Sequence, residues 1–226
     1  MSPILRVDSI RKAFRGQSVL TCAWLTAEEG QVTMLAGRNG AGKTTLLKVA
    51  AGLLRPDRGI VIFRDERFRQ PRLHQLAQLG LWWLPSRGAL IPTLTPAAHA
   101  AMLAQRFSGP PPDWAGFHLE SAVRTKCGEL SGGERRLVDL ALAIARRPAC
   151  LLADEPLRGL DPKHREIVVN ALLGLAARGC AVVVTGHESR DLEGLAGTVL
   201  LIERGETRLI GVGAEALDAA AGPGLG

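Results

Sequence analysis

Apolar and polar positions follow two different rhythms along the chain. In the first 30 residues short apolar runs alternate with turn residues, which predicts antiparallel strands. Beyond them the apolar runs become continuous. "QVTMLAG" (31–37) leads into a glycine-rich turn, and "ACLLA" (149–153) and "CAVVVT" (180–185) read as parallel strands buried on both faces. The apolar half of "LGLWWLPSRG" (79–88) reads as a short strand and the rest as a loop; adjacent strand residues face opposite sides, so Trp82 and Trp83 should not form one stacked patch.

Between these runs the spacing turns helical. In "KTTLLKVAAGLL", Leu46, Leu47, Ala50 and Leu54 recur on one face. Leu137, Leu140, Ala141 and Ile144 do so in "GERRLVDLALAIARRP", with Pro148 past the end. Ile167, Ala171, Leu172 and Leu175 do so in "PKHREIVVNALLGLAARG", with Gly179 closing the helix. Alternating helices and buried strands predict an α/β sheet covered on both faces. Residues 86–130 break the rhythm. They are helical around 97–107, are interrupted by "SGPPPDWAG", and read as a short inserted helical subdomain. The expectation is a single domain over 1–218 and a flexible tail over 219–226, with no internal repeat.

Composition narrows the setting. A 46% hydrophobic content in 226 residues is enough for a real core. The net charge of +6 is spread along the chain, apart from Arg55, Arg58, Arg64, Arg67, Arg69 and Arg72. Asp57, Asp65 and Glu66 interrupt that group, so a solvated face is favoured over a phosphate or lipid surface. Cys22, Cys127, Cys150 and Cys180 form no C-x-x-C pair, which argues against a metal or disulfide framework and fits a reducing cytosol. "MSPILRVDS" lacks a signal-peptide core, and no apolar run reaches 18 residues, so the chain is not expected to cross a membrane.

Ligands of open α/β sheets bind beyond the carboxyl ends of the strands, and polar clusters stand at three such ends. The first is Gly37, Arg38, Asn39, Gly40, Ala41, Gly42, Lys43 and Thr44, a complete G-x-x-x-x-G-K-[ST] phosphate loop between strand and helix. Its backbone N–H groups and the helix N-terminus suit an anion. Lys43 can neutralise phosphate oxygens, and the Thr44 hydroxyl can ligate Mg²⁺. The second is Asp154-Glu155-Pro156. Asp154 is placed to hold Mg²⁺, and Glu155 to orient an attacking water. The third is Thr185-Gly186-His187, whose histidine can reach a γ-phosphate or simply be structural. A further cluster, Leu130-Ser131-Gly132-Gly133-Glu134, reads as a helix capping box, but a cap does not account for two glycines in a first turn. Close approach of a ligand to the backbone does.

A phosphate loop, "LSGGE", "ACLLADEP", "GLDP" and a strand-end histidine, in that order over about residues 4–218, resemble the ATP-binding-cassette ATPases. The resemblance implies a P-loop NTPase fold with a mainly parallel core sheet, an N-terminal antiparallel β-subdomain and an inserted helical subdomain. It implies ATP and Mg²⁺ as cofactors, with Thr45 completing the phosphate site and Thr44 and Asp154 at the metal. By the same resemblance Phe14 stacks on adenine, Glu155 is the general base and His187 senses the γ-phosphate. Asp161 lies in a loop that signals between subunits, while Asp161-Pro162 also reads as a helix cap and first turn. Family dimers close head to tail, so Ser131, Gly132 and Gly133 would contact ATP held by the Lys43 of a second subunit.

Two departures stand out. The family's Thr-Ser-Gly-Leu-Asp is Leu157-Arg158-Gly159-Leu160-Asp161, which puts a bulky cation near the dimer interface. Ser86 replaces the usual Gln after Trp83-Leu84-Pro85, and Ala98-His99 replaces a Glu-Asn pair. Ser86 is too short to bind the metal as Gln does, except through water, so coupling would fall to Arg87 or the loop backbone. The stretch from Ser86 to Ser131 is also short, where family transporters receive the membrane subunit.

The implied function is a cytoplasmic ATPase subunit, peripheral at the inner face of the cell membrane and powering a membrane transport subunit, with no nucleic acid partner expected. Two alternatives stay open: a soluble cassette ATPase in cofactor assembly, and a regulatory subunit with weak hydrolysis. The roughly 85 residues between the phosphate loop and the "LSGGE" signature (130–134) carry no heptads, which speaks against the coiled-coil members acting on chromosomes.

Overall fold

The computed structural model describes residues 3–186 and 192–221. Ten strands form one sheet among these residues: β1 (Leu5–Phe14), β2 (Gln17–Ala27), β3 (Val32–Ala36), β4 (Arg58–Phe63), β5 (Glu66–Phe68), β6 (Leu81–Leu84), β7 (Cys150–Ala153), β8 (Ala181–Thr185), β9 (Thr198–Glu203) and β10 (Glu206–Val212). Their order is β5-β4-β1-β2-β10-β9-β3-β8-β7-β6. The half from β9 to β6 is parallel. β1, β2, β4 and β5 pair antiparallel, as the alternating N-terminal pattern predicts. The halves meet where β10 lies beside β2 through the single parallel pair Glu206–Cys22.

Continuous apolar strands need two cores, and the sheet has one on each face. Side chains two apart share a face. Leu151 and Ala153 of β7 and Val182 and Val184 of β8 therefore join one cluster, with Leu137 and Leu140 of α4 (Gly132–Ala145) and Leu172 and Leu175 of α5 (Pro162–Ala177). Cys150, Leu152, Ala181 and Val183 join the other, with Leu46, Leu47 and Ala50 of α1 (Lys43–Ala50) and Leu76 of α2 (Leu73–Gln78). The tryptophans divide in the same way: Trp82 packs against the first cluster and Trp83 against the second. Burial raises the thiol pKa of Cys150 and pushes that of Cys180 up to about 12, as befits small core side chains rather than ligands.

Several boundaries differ from the sequence pattern. α1 stops at Ala50 and leaves Leu54 outside, because Gly52 turns the chain at φ 71°. A Cβ there would lie 2.7 Å from the Arg72 backbone, so the turn and its glycine are set by packing. The inserted subdomain holds one α-helix, α3 (Pro96–Arg106), and a 3₁₀ turn (Cys127–Glu129). Thr95 caps α3 by accepting from the Ala98 N–H at 3.1 Å. Phe117, Leu119 and Ala122 come from the turns that follow and anchor the insert to the first core. At the C-terminus, α6 (Ala214–Ala221) extends three residues into the segment expected to be a tail, with Ala216 and Leu217 in the first core.

Leu152 is fully buried on β7, whereas Leu209 on β10 is 59% exposed. Leu152→Ala is expected to cost about 2–5 kcal/mol and Leu209→Ala within about 0.5 kcal/mol, checked by urea unfolding.

Candidate functional site

The carboxyl ends of β3, β7 and β8 lie side by side, and their polar residues form one hydrogen-bonded unit. Asp154 follows β7 and is 1% exposed. The Thr44 hydroxyl, on the first turn of α1, donates to both its oxygens at 3.0 and 3.1 Å. The Thr185 hydroxyl ends β8; it donates to Asp154 at 2.9 Å and accepts from the Glu155 N–H at 2.8 Å. Thr185 thus fixes the two acidic positions relative to one another. Glu155 itself holds φ at 46°, a backbone state that non-glycine residues seldom adopt.

Before this network lies the phosphate loop. Gly40 and Gly42 have φ of 78° and 109°, and a Cβ on Gly42 would lie 2.6 Å from Leu20. The loop therefore needs glycine both for its curl and for its contact with β2. Lys43 is buried and donates to the Gly37 and Arg38 carbonyls at 2.5 and 3.1 Å. Side chains cap α3, α4 and α5, yet α1 begins at Gly42 without a side-chain cap or an acid in its first turn. α2 starts uncapped as well, but only α1 follows a glycine loop at a strand end, where N-terminal amides suit an anion. Thr44 and Asp154 supply hard oxygens suited to Mg²⁺. Among the described residues no three His, Cys, Asp or Glu side chains converge as a metal site.

Comparison with known proteins matches this arrangement. Residues 20–158, which contain the phosphate loop, Ser131–Gly133 and Asp154, fit the family model for the ABC transporter. The chain belongs to the ABC transporter family. It is 30% identical to the lipopolysaccharide export system ATP-binding protein LptB of Acidithiobacillus ferridurans, over 96% of this chain and 94% of that protein. It is 33% identical to the Nod factor export ATP-binding protein I of Burkholderia lata, over 90% of this chain and 69% of that protein. A nucleotide-free ATP-binding cassette from an ABC transporter superposes with a TM-score of 0.83 at 23% identity, covering 96% and 94% of the two chains.

The other residues expected at the site lie as follows. Phe14 ends β1 43% exposed, with the Lys12 ammonium 5.5 Å from its ring centre. Ser131 and Glu134 form the full capping box, at 3.2 and 2.8 Å. The two glycines within that box differ. A Cβ on Gly133 would lie 2.9 Å from the His164 ring, whereas Gly132 has nothing within 4 Å. Internal packing accounts for Gly133 and leaves Gly132 facing open space. Asp161 caps α5 by accepting from the His164 N–H at 3.1 Å, and its carboxylate also bonds the His164 ring; that bond holds its carboxyl below the ordinary value. His187 lies outside the described residues.

The loop after β6 shows what the sequence pattern missed. Ser86 is exposed, but its backbone carbonyl is fixed by the Arg136 guanidinium of α4 at 2.5 Å, and that of Pro85 at 2.8 Å. Asp139, one turn along α4, accepts from the Ala89 N–H at 3.2 Å. His99 accepts from the Ile91 N–H at 2.9 Å through Nε2, while Nδ1 lies 3.0 Å from the Thr95 carbonyl. Three buried polar side chains thus clamp seven residues of loop backbone, two of them from the helix that begins with the signature. The Arg135-Arg136 pair and Asp139 interrupt an otherwise apolar helix face, which was the available signal.

Burial pushes the Asp139 pKa up to about 6, against the pull of the Ala89 N–H, Arg136 and His99. A folded-state pKa above the ordinary 3.8 means that the native protein holds the proton longer, so stability falls as pH rises from about 4 to 6. Asp139→Asn should flatten that limb, gaining roughly 2–3 kcal/mol at pH 7.5 and nearly nothing at pH 4. Denaturant midpoints at the two pH values check it.

Proposed function

We propose that this chain is the ATP-hydrolysing subunit that powers a membrane export partner, acting as a head-to-tail pair of identical copies. The observation that carries the reading is the Thr44–Asp154–Thr185–Glu155 network beside an uncapped phosphate-loop helix. In this reading the loop amides and Lys43 hold the β- and γ-phosphates. Thr44 and Asp154 hold Mg²⁺, which would offset phosphate charge, and Glu155 takes a proton from the attacking water. Thr185 and the left-handed backbone at Glu155 keep base and metal site in fixed register. Phe14 offers its exposed ring to adenine.

Exposed Ser131 and Gly132 support a composite site: they lie at a helix start, and Gly132 has no internal contact that would require glycine. Export is supported by the named roles of the two relatives, both ATP-binding proteins of export systems. Among the described residues no helix is long and apolar enough to cross a membrane, so attachment to one falls to the partner. The clamped loop after β6 is then the coupling element. With Ser86 in place of Gln, its backbone passes motion to the signature helix through Arg136 and Asp139.

Glu155→Gln should lower steady-state ATP turnover at least about 100-fold while ATP still drives dimerisation, read by enzyme assay and size-exclusion chromatography with ATP. Near wild-type turnover would sink the reading. Lys43→Ala should weaken ATP binding about 10- to 100-fold in a nucleotide titration, the loss expected for charged hydrogen bonds.

A further inference from the structure

The strand end that carries Phe14 is held by contacts for which the phosphate chemistry has no use. β4 runs beside β1 only as far as the pair Arg11–Arg58. Beyond that pair Asp57, the residue ahead of β4, takes over the edge. Its N–H donates to the Arg11 carbonyl at 2.9 Å, and its Oδ2 accepts from the Ala13 N–H at 2.7 Å. Its Oδ1 accepts from the Lys12 ammonium at 2.8 Å. The bond to Lys12, with the Ala13 N–H behind it, holds the Asp57 carboxyl below its ordinary pKa. Three consecutive residues of β1 are thus pinned to one aspartate just before Phe14. On the other side of Phe14 the chain turns back through Arg15 and Gly16, at φ of 49° and 83°, the two left-handed residues of a tight hairpin. Phe14 pairs with Gln17 across it.

These anchors fix the backbone, and Lys12 settles the ring. Its side chain is 14% exposed, and its ammonium lies over the Phe14 ring, 5.5 Å from the centre. A cation there is drawn to the negative face of the ring, most strongly where water is scarce. Asp57 keeps the ammonium from leaving that face for water. One side of the ring is therefore covered from within, while Phe14 remains 43% exposed. The phosphate loop is close by: the side chain of Leu20, three residues after Gln17 on β2, would lie 2.6 Å from a Cβ on Gly42. Three residues of strand span about 10 Å, within the length of a nucleoside diphosphate.

We propose that Lys12 is a positioning residue for the adenine base: it covers one face of the Phe14 ring and holds the other toward a nucleotide seated on the phosphate loop. The inference rests on the reading of Phe14 as the adenine platform. Lys12 needs no contact with base or phosphate. It acts through the ring, by reducing the side-chain freedom that Phe14 must give up when the base arrives.

The test is calorimetric titration of the purified chain, at physiological ionic strength, with ADP and with inorganic triphosphate, which has no base. Lys12→Ala should weaken ADP binding about 3- to 10-fold and leave inorganic triphosphate within about twofold of wild type. Lys12→Arg should restore ADP binding, since a guanidinium can take the same place over the ring. Phe14→Ala should weaken ADP at least about 10-fold, and adding Lys12→Ala to it should change the affinity by less than about twofold. An unchanged ADP affinity for Lys12→Ala overturns the inference. So does an equal loss for both probes, which marks a general charge effect or a damaged fold, and so does a full loss in the Phe14→Ala background. If Phe14→Ala still weakens ADP in those cases, only the role of Lys12 falls. If Phe14→Ala binds ADP as wild type does, Phe14 is not the adenine platform and the inference falls with that reading.

Discussion

Everything at this site depends on keeping one ionisable carboxylate almost wholly out of water. Asp154 is 1% exposed at the end of a strand buried on both faces, where an unsupported charge would be costly. Two threonine hydroxyls meet it, one from α1 and one from the end of β8. The phosphate loop, the acidic strand end and the neighbouring strand are thereby tied at one point. The two apolar cores hold β3, β7 and β8 in register, so the point rests on paired strands.

The same economy recurs at the loop after β6. A connection that has lost its usual glutamine is held by its backbone, through Arg136, Asp139 and His99, rather than by a side chain aimed at the metal. Two of these three side chains belong to α4, so the loop and the signature helix form one mechanical piece. Two relatives of this chain are named as ATP-binding proteins of export systems.

Much of this was legible in the chain. Unbroken apolar runs marked β3, β7 and β8, because a strand covered on both faces has no polar side to show. The phosphate loop and "ADEP" were legible because their chemistry is written in consecutive residues. Thr185 was visible only as a neighbour of His187, since its partners lie 31 and 30 residues away. The clamp is hidden for the same reason: Arg136 and Asp139 reach residues about 50 positions back, and no local periodicity encodes that pairing. The helical pattern runs on to Leu54, while the contact that ends α1, Gly52 against Arg72, is tertiary. The turn-rich part of the insert follows from prolines and glycines that favour no helix.

The paired tryptophans of β6 stand just ahead of the clamped loop and look into opposite halves of the molecule. Trp82 meets Phe107 edge-on at 5.8 Å, at the end of the α3 helix of the insert, whereas Trp83 sits in the core shared with α1. A tilt of the insert would change the surroundings of the first indole and leave those of the second as they were. Two neighbouring indoles thus stand in environments that depend on different parts of the molecule, one on the insert and the other on the packing of α1.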